Sequence, residues 1–120
     1  MADEKDLEVI EGLRSLGVNR NAAKLITYLK DVDQGSSRDI EMSTGLRQPE
    51  VSIAMQPLRE MGWISERDVK TPGKGKGRPM RIYSLSTTIE KIIEHYEAEK
   101  NLESARTIEA IQKLKELSST

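Results

Sequence analysis

Between Lys70 and Tyr83 the chain reads Lys-Thr-Pro-Gly-Lys-Gly-Lys-Gly-Arg-Pro-Met-Arg-Ile-Tyr. Five cations, Lys70, Lys74, Lys76, Arg78 and Arg81, stand there without one acid, on a chain whose net charge is -1. The chemistry this offers is electrostatic. Closely spaced ammonium and guanidinium groups displace counterions from a polyanion, and glycine lets the backbone approach it closely. A nucleotide phosphate loop is excluded, because neither Gly73-Lys74-Gly75 nor Gly75-Lys76-Gly77 continues into a Ser or Thr that opens a helix.

The glycines deny this segment a helix, each costing about 1 kcal/mol against Ala. Both flanks, Trp63 to Val69 and Arg81 to Leu85, carry strand-like residues, so the cations are predicted at the tip of a β-hairpin. Helical segments precede it. Asp3 to Leu16 reads as an amphipathic helix with Leu7, Ile10 and Leu13 on one side, ended by Gly17. Asn19 caps a second helix to about Asp31, with Ala22, Leu25, Ile26 and Leu29 as its buried stripe. Gly35 breaks the chain. Ser36 and Asp39 then have capping-box spacing at the head of a brief third helix, with Ile40 and Met42 as its apolar residues. It stops at Thr44-Gly45. Pro49 is placed to open a fourth helix, which buries Val51, Ala54, Met55 and Leu58 and ends at Gly62. Pro57 lies inside this helix, where it removes a hydrogen bond and is expected to bend the axis. Two helices joined by a tight Gly-containing turn match the helix-turn-helix signature, and the hairpin follows as a wing.

The bulk composition agrees with a helical, soluble chain. One hundred and twenty residues make one domain's worth, with 32% charged residues, 3% aromatics, no Phe and no Cys. The core must therefore come from Leu, Ile, Val, Met and Ala, and disulfides and thiolate metal sites are excluded. No apolar run approaches the ~18–20 residues of a membrane span, and the acidic N-terminus lacks the features of a signal peptide. A cytoplasmic location follows as an expectation. The pI near 5.9 hides an uneven distribution of charge. Residues 1–16 have two basic residues against five acidic, residues 63–85 six against two, and residues 86–120 five against seven. A basic lobe on an acidic body sets its own local field.

From Leu16-Gly17-Val18 through Ala22 to Leu29, Ser37-Arg38-Asp39-Ile40, Leu46-Arg47-Gln48-Pro49-Glu50-Val51, Leu58-Arg59-Glu60-Met61-Gly62-Trp63-Ile64 and Gly77-Arg78-Pro79 to Tyr83-Ser84-Leu85, the chain resembles winged helix-turn-helix transcriptional regulators. It is most similar to the archaeal TrmB-type proteins and their MarR and ArsR relatives. The resemblance covers a little over half the chain and implies an α+β, mostly α fold. That fold would comprise an N-terminal helix (1–17), a winged-helix DNA-binding domain (18–86) and a C-terminal helix (87–120). The ligand-binding domain of larger TrmB proteins has no counterpart in residues 1–120, so sugar sensing is not implied.

In such a fold the second helix of the pair enters the major groove. Arg47, Gln48, Glu50, Ser52, Ile53 and Gln56 fall off the buried stripe and are the candidate readers. Arg suits guanine, Gln suits adenine, and Ile53 suits thymine methyls. Glu50 and Ser52 could instead stabilise the helix start. Ser36, Ser37 and Arg38 could hold a phosphate at a helix N-terminus, and capping alone would equally explain the two serines. Gly77-Arg78-Pro79 is similar to the core of an AT-hook, whose Arg enters a narrow A·T-rich minor groove; the alternative is a solvated hairpin tip.

After Leu85, Thr87 and Glu90 form another capping box, and nothing breaks a helix from there to Leu117, about 45 Å at ~1.5 Å per residue. Ile89, Ile92, Ile93 and Tyr96 share one face. Leu102, Ala105, Ile108, Ile111, Leu114 and Leu117 then repeat every three residues, so their stripe drifts round the helix instead of keeping a heptad. These ten residues are the expected homodimer interface, with a helix folded back on its own domain as the alternative. Trp63 reads as a core or hairpin anchor. His95 is assigned no role. No Ser, His and carboxylate arrangement suggests catalysis, and neither metal nor cofactor is expected. The reading is a dimeric, sequence-specific regulator of double-stranded DNA, with a protein-interaction module as the competing class. Nothing identifies an effector.

Overall fold

A computed structural model describes residues 3–70 and 80–119. Among them are five helices and three short strands: α1 (Glu4–Ser15), α2 (Arg20–Leu29), β1 (Gly35–Ser36), α3 (Ser37–Thr44), α4 (Gln48–Glu60), β2 (Ile64–Val69), β3 (Met80–Leu85) and α5 (Ile89–Ser118). The fold is α+β and mostly helical. The strands form one antiparallel sheet in the order β1-β3-β2. Two compact units divide the chain, Met1–Ile89 and Glu90–Thr120. Among the described residues no helix is long and apolar enough to cross a membrane.

Local chemistry sets the helix ends. The Asp3 carboxylate accepts the Asp6 N–H at 2.8 Å, and the Asn19 side chain accepts from Asn21 at 2.9 Å. Each bond satisfies a donor that the first helical turn leaves without a partner. The end of α4 is a Schellman motif. Gly62 N–H donates to Arg59 C=O and Trp63 N–H to Leu58 C=O, both at 3.0 Å, with Gly62 at φ 74°. That left-handed conformation costs a residue with a Cβ about 1–2 kcal/mol. The same turn aims the chain from α4 into β2 and leaves Trp63 buried at the corner. Ser86 closes it from the far side, its N–H bonding Trp63 C=O and its hydroxyl Gly62 C=O.

The core of the first unit is built where α2, α3 and α4 meet. Leu25, Ile26, Ile40 and Met55 are fully buried, and Leu29 and Val51 nearly so. Each such side chain contributes about 1.5–3 kcal/mol on burial. Ala22 and Ala54, both buried, keep the helices close. α1 packs on α2 through Ile10 and Leu13.

Several features differ from the sequence expectation. Gly35 does not merely break the chain. With Ser36 it forms β1, paired to Tyr83 and Ile82 of β3, a strand too short to show a two-residue period. Leu7 and Met42 are 55% and 75% exposed. Both line a groove of about 600 Å³, together with Ile10, Thr27 and Tyr28. α4 runs unbroken through Pro57 to Glu60. The donor that Pro57 lacks would have served the Ile53 carbonyl, and both residues lie on the exposed side, where water can take that bond. α5 opens at Ile89, two residues beyond Thr87.

Candidate nucleic-acid interface

α4 separates its two faces cleanly. Val51, Ala54, Met55 and Leu58 are buried, whereas Arg47, Gln48, Glu50, Ser52, Ile53 and Gln56 are all exposed. The helix begins after the turn at Gly45, whose φ is 76°. That turn hands the chain from α3 to α4 within three residues. Pro49 occupies the first turn of the helix, where a missing N–H costs nothing. On the exposed face Gln48 Nε2 donates to Ser52 Oγ at 3.3 Å, one helical turn apart. Ile53 is 67% exposed.

Two of the expected contact residues are committed elsewhere. Ser36 is buried, at 6% exposure, and its hydroxyl accepts the Asp39 N–H at 3.0 Å. It caps α3 from within a strand, and capping accounts for this serine's hydroxyl. Glu50 accepts the Arg47 backbone N–H at 3.0 Å. This is one half of a capping box, the other half being unavailable because an Arg side chain at the cap has no acceptor. Glu50 therefore stabilises the start of α4. Ser37 is half-buried, and Arg38 remains exposed on the first turn of α3.

The hairpin has the predicted strands in a defined register. Ile64 faces Leu85, Glu66 faces Tyr83, Asp68 faces Arg81 and Val69 faces Met80. Lys70 is exposed at the end of β2. Lys74, Lys76 and Arg78 lie outside the described residues. Arg81 is exposed but engaged, its Nε donating to Asp68 Oδ1 at 3.1 Å and its Nη1 to Glu66 Oε2 at 3.3 Å. The Asp68 hydrogen bond and charge, followed by Tyr83 and Glu66, raise the Arg81 pKa above its ordinary value. Glu66 also accepts from Arg59 on the last turn of α4, and Arg67 donates to Gln34 Oε1 at 2.6 Å. The sequence reading missed Arg59, Gln34 and this use of the two acids. A pattern of Glu66, Asp68 and Arg81 in alternating strands carries the signal, but only once the register is known.

In the second unit, Ile93, Leu102, Ile108, Ile111, Leu114 and Leu117 are between 45% and 65% exposed, and Ala105 is also exposed. Tyr96 is half-buried, and Ile89, the last residue of the first unit, is likewise half-buried. Ile92 is fully buried within the chain and so leaves the expected partner-facing set. Burial, with the Glu99 charge second, raises the Tyr96 pKa. His95 pairs with Glu99 at 2.8 Å and packs edge-on against Tyr96.

Comparison of the chain with known protein families and with curated proteins finds no match.

Proposed function

We propose that the protein is a winged helix-turn-helix regulator that binds duplex DNA as a dimer, α4 reading the major groove and the hairpin tip entering the minor groove. The observation that carries this reading is the split surface of α4. Its buried side holds the core, while Arg47, Gln48, Ser52, Ile53 and Gln56 stand exposed together. Groove-reading helices present such a mixed donor, acceptor and methyl surface. The element order supports it too: a helix, a short strand, two helices across a glycine turn, then an antiparallel hairpin whose third partner is the short strand. The connection of that hairpin holds Lys74, Lys76 and Arg78. Phosphates would be met by Arg38, Lys70 and these three, and bases by the α4 set. The exposed apolar residues of α5 would be covered by the same helix of a second subunit, presenting two reading helices to a two-fold site.

The test is titration of the full chain against mixed-sequence duplexes at about 50 and 200 mM salt. With several phosphates neutralised, affinity falls by roughly 100-fold or more between them. Replacing Lys74, Lys76 and Arg78 together with Ala removes most of the binding while the melting temperature is unchanged. Salt-insensitive binding, or tight binding by the triple variant, refutes the wing's role. No binding at either salt favours an interaction module.

A further inference from the structure

Residues 63–85 contain six basic residues and two acids, Glu66 and Asp68. Both acids are held by the same guanidinium. The strand register sets Asp68 directly opposite Arg81, and Glu66, two residues back on the same face, reaches it diagonally. Arg81 has about half of its side chain exposed, as has Asp68, while Glu66 is more enclosed. We propose that Glu66 and Asp68 form an electrostatic latch on Arg81: free protein keeps the guanidinium on the carboxylates, and a DNA phosphate must displace them before Arg81 joins the contact surface. This inference rests on the DNA-binding reading and adds an internal competitor that sets how tightly the hairpin grips.

Energetics favour exchange over permanence. Exposed ion pairs add little to stability, and a phosphate offers a guanidinium the same two-pronged acceptor geometry as a carboxylate. The displaced acids do not vanish. Glu66 retains Arg59, whereas Asp68 loses the partner it holds in the free protein, and that broken pairing is what the latch subtracts from affinity. A competing explanation needs no latch: two acids would weaken DNA binding through their field alone, whatever Arg81 does.

A double-mutant cycle separates the two. Anisotropy titrations of a labelled duplex with the full chain are run for the parent, Glu66→Gln/Asp68→Asn, Arg81→Ala and their combination, with thermal melting to confirm each fold. Neutralising the acids is expected to tighten binding roughly five- to tenfold and to steepen the logarithmic salt slope by about one phosphate's worth. With Ala at position 81, the same neutralisation should gain less than about twofold and leave the slope unchanged. Should the double substitution perturb folding, Asp68→Asn alone, which leaves the Arg59–Glu66 pair in place, shows the same coupling at a smaller size. Equal gains with and without Arg81 overturn the latch while leaving DNA binding intact. So does a gain that persists in Arg81→Ala and disappears in Arg59→Ala. A parent that binds no duplex removes the DNA reading, and the latch with it.

Discussion

The two units use the same kinds of apolar residue to opposite effect. In Met1–Ile89, Leu25, Leu29, Ile40 and Met55 are at most 1% exposed. In Glu90–Thr120, Leu102, Ile108, Leu114 and Leu117 are all more than half exposed, and among the described residues of α5 only Ile92 is buried. Composition does not separate them; spacing does. The three- and four-residue steps of α2 gather Ala22, Leu25, Ile26 and Leu29 on one stripe. The strict three-residue steps from Leu102 to Leu117 turn about 60° backward each time, so their side chains wind round the helix. The result is a drifting stripe, unlike the single straight one on α2.

Substitutions test this contrast most sharply where it is steepest. Leu25→Ala is expected to destabilise the first unit by about 2–5 kcal/mol in denaturant unfolding, the range for a large core side chain. Leu114→Ala in the isolated monomer should cost no more than about 0.5 kcal/mol. A large effect from the second change at dilution would mean that α5 is already covered within one chain. Next in size is assembly. Ile111→Glu with Leu114→Glu should weaken self-association by roughly 100-fold or more in sedimentation equilibrium, because desolvating an unpaired carboxylate costs several kcal/mol. The melting of the first unit should stay where it was. Unchanged mass in this variant refutes the α5 dimer.

Smaller effects sharpen the account of the first unit alone. Gly62→Ala forces a Cβ into the left-handed region and is expected to cost about 1–2 kcal/mol. Ser36→Ala removes the α3 cap and should cost about 1 kcal/mol with no loss of DNA affinity beyond that accounted for by stability. A selective loss of affinity, with stability preserved, would return Ser36 to the contact surface. Gln48→Ala is expected to relax base preference at one position by about 1–3 kcal/mol.

Much of the molecule can be read within a window of four residues. Asn19 and Ser36 as caps, Gly17, Gly45 and Gly62 as stops, the buried stripes of α2 and α4 and the exposed set on α4 all follow from backbone donors without partners, left-handed turns and helical period. The charge of the 70–81 segment is equally a property of the sequence, whatever structure carries it. Tertiary structure decided the rest. Gly35–Ser36 became a strand because β3 offers it a free edge. Ser36 was buried by that same pairing, and the register that puts Asp68 opposite Arg81 depends on how two separated segments align. Leu7 and Met42 stayed exposed because a helix supplies an apolar face but cannot say which neighbour arrives to cover it. Local rules are energies between near neighbours along the chain. Register and burial are energies between segments that meet only after folding, and no short window contains both partners.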